Sequence, residues 1–73
     1  MEENFIDLLK EVFEIDEVKF EDTFRDYETW DSLTNISLIA MLDDEYEIII
    51  DTKDFSNIIT VRELYEEVIK RKA

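Results

Sequence analysis

The chain contains neither glycine nor proline among its 73 residues, and this absence limits its fold more than any other feature. Glycine and proline are the residues that most often form turns, whereas the abundant glutamate, leucine and lysine favour helices. The composition therefore predicts an all-α fold. The absence of glycine also excludes the glycine-rich loops that bind phosphate in nucleotide-binding proteins.

The residue types that are absent also narrow the chemistry. The chain has no cysteine and no histidine, so disulfides, Cys-based zinc sites and Ser–His or Cys–His nucleophilic catalysis are excluded. No metal site is expected, and the chain is not expected to be an enzyme. The net charge of −13 disfavours binding to nucleic acid or to an anionic membrane, and favours protein partners with positive patches.

The length and hydropathy pattern indicate a single domain over residues 1–73. With 45% hydrophobic residues, a folded core is favoured over disorder. The N-terminal stretch resembles neither a secretory signal nor a membrane span, so a cytoplasmic monomer without membrane insertion is expected.

Three longer helices and one short helix are predicted. Apolar spacing predicts a first helix over residues 3–13 and a second that begins at Asp31 or Ser32 and ends near Tyr46. On the second helix, Leu38, Leu42 and Tyr46 line one edge, and further apolar residues beside them predict contact with more than one neighbouring helix. The residues on that adjoining edge are Leu33, Ile36, Ile39 and Ala40.

The last helix has the clearest start signal. Thr60 followed by Glu63 forms a capping box, and Lys70, Arg71 and Lys72 close this helix at its negative end. One short helical turn is expected over residues 52–57 with Phe55 facing inward. The three isoleucines from Ile48 to Ile50 have no second strand to pair with and are interpreted as an extended connection.

The long segment from Ile15 to Trp30 follows no clean period. About 16 residues is long for a loop in a small domain, and its aromatic residues indicate that it packs over the core. Tyr27 and Trp30 are interpreted as anchors of this loop.

Ser32 has two interpretations from its immediate neighbours. If Asp31 caps the second helix, the Ser32 hydroxyl is free at the first helical position, where a phosphate ester would meet the positive helix end. If Ser32 is itself the cap, its hydroxyl is occupied and it carries nothing. The tripeptide Asp31-Ser32-Leu33 alone leaves both open.

The wider pattern resembles the acyl carrier protein family over nearly the whole chain, from Phe5 to Ile69. The resemblance is carried by an ordered series of segments: Thr23-Phe24, Asp31-Ser32-Leu33, Leu42–Tyr46, Ile48–Asp51 and Ile58–Val61. It implies a small four-helix bundle with a long first loop. It also implies 4′-phosphopantetheine on Ser32, added by a separate phosphopantetheinyl transferase from coenzyme A, and acyl or aminoacyl cargo held as a thioester for partner enzymes.

The resemblance also assigns supporting roles. Asp31 would cap the helix beside the attachment site, and Leu33 would face partners, which are acyl-loading and acyl-transferring enzymes with basic patches. Docking would involve Ala40, Asp43, Asp44 and Asp51. An acyl cavity would be lined by Ile36, Ile39, Ile50, Phe55, Ile58 and Leu64.

The chain departs from the family pattern at two places. Thr29-Trp30 stands where the family usually has glycine, and the resulting Trp-Asp-Ser-Leu step is more similar to specialised stand-alone members. Thr34, Asn35 and Ser37 replace acids early in the second helix, which argues against recognition by generic fatty-acid synthesis enzymes. The large Phe55 and Leu64 side chains stand where carriers of long chains often have small residues. These side chains predict a short or polar cargo.

The composition also leaves three other functions to consider. A cofactor-free scaffolding module is the main alternative. Calcium binding by residues 51–56 fails the EF-hand pattern, because lysine and phenylalanine occupy ligand positions and the turn glycine is missing. An enzyme with paired carboxylates lacks an identifiable base and has little room for a closed pocket.

Overall fold

The computed structural model describes residues 2–72 and contains four α-helices. They are α1 (Glu2–Phe13), α2 (Ser32–Tyr46), α3 (Thr52–Ser56) and α4 (Val61–Lys72). A single 3₁₀ turn, Phe24–Asp26, interrupts the long segment between α1 and α2. The predicted all-α fold, with three longer helices, one short helix and a long first loop, is confirmed.

The core forms where one face of each helix meets the others. Its members are buried and mostly aromatic or branched: Phe5, Leu9, Phe13, Val18, Phe24, Leu38, Leu42, Tyr46, Ile48, Ile50, Phe55, Ile58, Val61, Leu64 and Val68. Within the Ile48–Ile50 run, the outer two side chains are buried and Ile49 is exposed. This alternation is that of an extended connection, as predicted.

The first loop is held down by aromatic packing. Trp30 packs against Phe13 and Phe24, with ring centroids 6.1 and 5.5 Å apart, and Tyr27 lies 5.1 Å from Phe13. The Tyr27 hydroxyl donates to Asp22 Oδ2 at 2.7 Å. Burial, followed by this hydrogen bond to the Asp22 carboxylate, raises the pKa of Tyr27. The loop is therefore a packed element, and Tyr27 and Trp30 anchor it as predicted.

Arg25, which follows Phe24 in the 3₁₀ turn, ties the loop to the end of α3. Its guanidinium donates to the carbonyl oxygens of Phe55, at 2.7 Å, and of Ile58. It also lies 4.9 Å from the ring centroids of both Phe24 and Phe55. A cation between two aromatic faces gains from the ring quadrupoles while it satisfies carbonyls at the helix end.

Because the chain has no glycine, two helix ends place another residue type in the left-handed conformation. Glu14, directly after α1, and Glu47, the C-cap of α2, both adopt the left-handed conformation with φ of 56°. Glycine or asparagine usually takes this position. The Glu47 backbone amide donates to the carbonyl oxygens of Asp43 and Leu42, so α2 ends with the usual hydrogen bonds. The left-handed conformation is less favourable for glutamate than for glycine.

α2 packs against both α1 and α4, as predicted, but part of the apolar edge expected to make the second contact is exposed. Leu38, Leu42 and Tyr46 are buried as predicted, but Leu33 and Ile36 are 70% and 63% exposed. Ile36 stands two residues before Leu38, which on an α-helix places it on roughly the opposite side. The second apolar edge of α2 therefore faces solvent along its first turns, instead of a neighbouring helix.

Candidate functional site

The start of α2 carries the predicted attachment residue. Asp31 is the N-cap, and its Oδ1 atom accepts a hydrogen bond from the Thr34 backbone amide at 2.8 Å. The Thr34 hydroxyl oxygen lies 2.9 Å from both Asp31 Oδ1 and the Thr29 carbonyl oxygen. This network resolves the two sequence interpretations: Asp31 caps the helix, and Ser32 is its first residue.

The Ser32 side chain is exposed, and its hydroxyl takes part in none of the three side-chain hydrogen bonds at this helix start. The Thr34 backbone amide, followed by its hydroxyl, holds the pKa of Asp31 below its usual value. Because Asp31 already caps the helix through Thr34, the Ser32 hydroxyl does not act as the cap, and its side chain is exposed.

This helix start fits a phosphate ester. The first amides of a helix and the positive end of its dipole favour an anion. In the described part of the chain, the hydrogen-bonded amides at this start, those of Thr34 and Asn35, both bond Asp31 and no other segment. The approach to Ser32 is therefore not covered by another part of residues 2–72.

The chain matches the family model for a phosphopantetheine attachment site over residues 3–68. The chain belongs to the phosphopantetheine-attachment family. The match covers α1 except Glu2, all of α2 and α3, and α4 as far as Val68, and it is consistent with an acyl-carrier-type domain. Members of this family attach 4′-phosphopantetheine covalently to a serine, so the cofactor of this carrier domain is 4′-phosphopantetheine. A comparison with curated proteins gives no significant match.

The predicted docking residues of the carrier are all at the surface. Ala40, Asp43 and Asp44 are exposed on α2. Asp51 is also exposed, but it is the N-cap of α3, where its Oδ1 atom accepts from the Asp54 amide at 2.8 Å. Asp51 therefore caps α3, a role that the family resemblance did not assign, and its docking role stays a prediction.

The predicted cavity set divides into two groups. Ile50, Phe55, Ile58 and Leu64 are buried together in the core, and Ile39 is half-buried. Ile36 does not belong with them, because its side chain lies on the solvent-facing side of α2. Its assignment to the cavity lining is wrong for this conformation, whereas the lining role of the other five stays a prediction.

Two features near the site were not identified from the sequence. The first is Arg25, whose stacking between Phe24 and Phe55 depends on contacts about 30 residues apart. The second is a groove between α1 and α2 that begins at Leu33. The helical spacing of Leu8 and Val12 predicts the first helix, but it does not distinguish residues that line a groove from residues of the core.

Two other structural findings concern alternative functions. Among residues 2–72, no group of three or more acidic side chains converges in a way that could hold a metal ion. The helices in the same range are all too short or too polar to cross a bilayer.

Proposed function

We propose that Ser32 carries the 4′-phosphopantetheine arm and that the chain delivers acyl or aminoacyl intermediates to partner enzymes as thioesters. The observation that supports this most is the exposed Ser32 hydroxyl at the first position of an α2 helix capped by another residue, Asp31. When bound, the arm supplies the thiol that this cysteine-free chain lacks.

The other two serines are less suitable. Ser56 donates its hydroxyl to the Thr52 carbonyl oxygen at 2.9 Å, so it is already engaged within α3. Ser37 is exposed but lies inside α2, where the backbone amides bond within the helix and offer no anion site. Ser32 alone combines a free hydroxyl with a helix start.

The chain's own residues have a positioning role in this proposal. Asp31 and Thr34 fix the first turn of α2, and Trp30 fixes the loop before it. The Ser32 side chain therefore projects from a fixed position on the surface of the bundle. Leu33 presents an exposed apolar side chain beside it. Tethering a cargo at this point raises its effective concentration at a docked partner, and the carrier itself needs no catalytic group.

The partners are proposed to be a phosphopantetheinyl transferase and acyl-loading or acyl-transferring enzymes with basic patches. The exposed carboxylates of Asp43 and Asp44, with the net charge of −13, support this choice. The cytoplasmic location and the monomeric state predicted from the sequence stay predictions.

A short or polar cargo is proposed because Phe55 and Leu64 are both buried in the core, where a long chain would have to displace them. Loading an acetyl group and a medium-length acyl group separately, followed by comparison of amide chemical shifts, tests this. Small core shifts with both cargoes are expected. Broad core shifts confined to the longer cargo would contradict it.

The decisive test of the attachment site is intact mass after incubation with a promiscuous transferase and coenzyme A. Wild type, Ser37→Ala and Ser56→Ala should each gain one phosphopantetheine, and Ser32→Ala should gain none. If no protein gains mass with any transferase, the scaffolding module becomes the better interpretation. The free energy of unfolding of Ser32→Ala should lie within about 0.5 kcal/mol of the wild-type value, because the substitution removes only an exposed hydroxyl that makes no hydrogen bond.

A further inference from the structure

Arg25 lies inside a group of three aromatic rings. Its guanidinium carbon is 4.9 Å from the ring centroids of both Phe24 and Phe55, and 5.9 Å from that of Trp30. Phe24 and Trp30 belong to the first loop, whereas Phe55 is the buried residue of α3. We call Phe24, Arg25, Trp30 and Phe55 the arginine cage. Because Trp30 is two residues before Ser32, the cage links the segment that leads to the attachment site with α3.

The cation of the cage has no carboxylate partner, although the chain has 21 acidic residues. None of the salt bridges among residues 2–72 involves Arg25. Its guanidinium donates instead to the carbonyl oxygens of Phe55, at 2.7 Å, and of Ile58. Arginine can do this while it stacks on the rings, because its donors form a planar fork. Arg25 therefore binds the backbone at the C-terminal end of α3.

α3 depends on contacts of this kind to stay in place. It has five residues, Thr52–Ser56, and only Phe55 among them is buried. A helix of this length is not stable on its own. The Phe55 ring centroid lies 5.9 Å from that of Phe24, and the Phe55 carbonyl accepts from Arg25. The cage thus holds both the side chain and the backbone of Phe55, so this ring leaves the core only when these contacts break.

A long acyl chain that enters the core from the α3 side would have to displace this ring. Phe55 is buried in one core with Ile50, Ile58 and Leu64. Each methylene that a chain buries there is favourable. Displacing Phe55, however, breaks charged hydrogen bonds and leaves partly buried carbonyls without their donor, which is costly. Arg25 supplies this cost, and so favours the closed core.

We propose that Arg25 is a specificity-determining residue that limits the length of the cargo by holding Phe55 in the core. The proposal rests on the proposed carrier function and assigns the limit to one side chain of the first loop. With Arg25 in place, the tail of a long acyl group stays outside the core. Without Arg25, the core admits the tail from the α3 side.

The test loads wild type, Arg25→Met and Arg62→Met with octanoyl- or acetyl-phosphopantetheine, using a promiscuous transferase and the corresponding acyl-coenzyme A. Arg62→Met is the matched control, because Arg62 stacks on Phe20, at 5.2 Å, outside the cage. Octanoyl loading should shift core amides such as those of Phe55 and Leu64 in Arg25→Met only. Acetyl loading should leave these amides unshifted in all three proteins.

The rate of thioester cleavage by hydroxylamine gives a second readout. Hydroxylamine attacks the thioester carbonyl carbon and releases the thiol of the arm, so a tail folded into the core protects the bond. Each rate is divided by that of the same acyl-coenzyme A, which removes the intrinsic difference between the two acyl groups. In Arg25→Met the octanoyl thioester should then react about fivefold more slowly than the acetyl thioester. In wild type and Arg62→Met the two rates should agree within about twofold.

Two more variants separate this specificity from general stability. Arg25→Lys keeps the charge but lacks the planar fork, so it should admit the octanoyl tail, and it replaces Arg25→Met if that variant does not fold. Thr60→Ala removes the cap of α4 without altering the cage and should exclude the tail. Far-UV circular dichroism establishes that each variant is folded. Octanoyl-induced core shifts in wild type or equally in Thr60→Ala, or their absence from every folded Arg25 variant, would overturn the proposal.

Free S-octanoyl-pantetheine, added to the unmodified proteins, separates this outcome from the carrier function, because it needs no attachment to Ser32. It should shift core amides of Arg25→Met and not those of wild type. That result without any mass gain in the transferase reaction supports the role of Arg25 and counts against the attachment site. Normal mass gain without octanoyl-dependent core shifts in any variant, tethered or free, overturns the role of Arg25 and leaves the carrier function intact.

Discussion

The starts of α2 and α4 are built with the same capping chemistry but have opposite surroundings. Asp31 accepts from the third residue after it in α2, and Thr60 does the same in α4, where its hydroxyl oxygen accepts from the Glu63 amide at 3.1 Å. The first residue of α4, Val61, is fully buried, whereas the first residue of α2, Ser32, is exposed.

The difference comes from the first loop. The amides of Val61 and Arg62 each donate to a loop carbonyl, those of Asp22 and Phe20, at 2.9 Å. Thr23 and Thr60 also form an isolated antiparallel bridge. The loop thus consumes the donors at the start of α4. At the start of α2 only the cap residue, Asp31, accepts hydrogen bonds from the helix amides, so this helix end stays open to an anion.

This comparison teaches that a capping signal marks a helix start without saying what that start is for. The four predictions that follow challenge or sharpen the contrast, in order of decreasing expected effect.

The largest expected effect comes from truncating the buried α4 start. Val61→Ala removes two buried methyl groups and leaves a cavity, so we expect it to lower the free energy of unfolding by about 2–3 kcal/mol. The matched change at the exposed α2 start, Leu33→Ala, should cost less than about 0.5 kcal/mol. Urea unfolding of both variants measures this. Similar losses for the two would mean that Leu33 is buried in solution.

The second prediction concerns the tie between the loop and α3. Arg25→Met keeps the aliphatic stem but removes two charged hydrogen bonds, to the carbonyls of Phe55 and Ile58, and should cost about 1.5 kcal/mol. Amide hydrogen exchange should accelerate most in α3. Arg62→Met is the control, because Arg62 only stacks on Phe20, at 5.2 Å, and should cost about 0.5 kcal/mol. Equal exchange in α3 for both variants would contradict this role of Arg25.

The third prediction separates stability from modification. Thr60→Ala removes the α4 cap and should cost about 1 kcal/mol, lowering the midpoint of thermal unfolding by about 4–8 °C. Its rate of phosphopantetheine transfer should equal that of wild type, since Ser32 lies on the other helix start. A slowed transfer, measured at a temperature where the variant is fully folded, would show that the two starts are coupled.

The smallest effect is a pH dependence at the capping box. The backbone amide of Thr60, followed by that of Ile59, holds the pKa of Glu63 below its usual value. A depressed folded-state pKa contributes stability above the unfolded-state pKa, about 4.3, and this stability is lost as the pH falls through the folded-state pKa.

Glu63→Gln keeps an acceptor but does not titrate at this position. As the pH falls from about 5 to about 3, a range that spans the carboxyl pKa, the free energy of unfolding of wild type should therefore decrease more than that of Glu63→Gln. The relief of repulsion among the other acids is common to both proteins and cancels in the difference. A variant that loses as much stability as wild type would show that Glu63 contributes nothing through its charge.

Sequence reasoning worked best where the interactions are local. The bounds of α1 and α2, the short α3 with Phe55 inward and the Thr60–Glu63 box were all predicted within a residue or so, because periodicity and caps act over three or four positions. It failed where the environment comes from distant segments. The spacing puts Ile36 and Leu38 on two different apolar edges of α2, but it does not tell that the edge with Ile36 is exposed there.

The candidate site shows the same division. A serine at a helix start, a candidate cap at Asp31 and the resemblance to a carrier family were accessible from the sequence. That Asp31 rather than Ser32 is the cap required the Thr34 geometry. That Glu11 and Glu14 line the same groove as Asp44 and Glu45 required knowing that α1 packs beside α2.

The sequence by itself determined that the chain is helical and, to within a residue or so, where its helices begin, since both depend on neighbours within one turn. Only the tertiary structure decided which start is open. The carbonyls of Phe20 and Asp22 reach α4 across about 40 residues of chain and leave Ser32 uncovered. That choice depends on how the loop packs, because a hydrogen-bond donor is occupied only when another segment is brought within bonding distance of it.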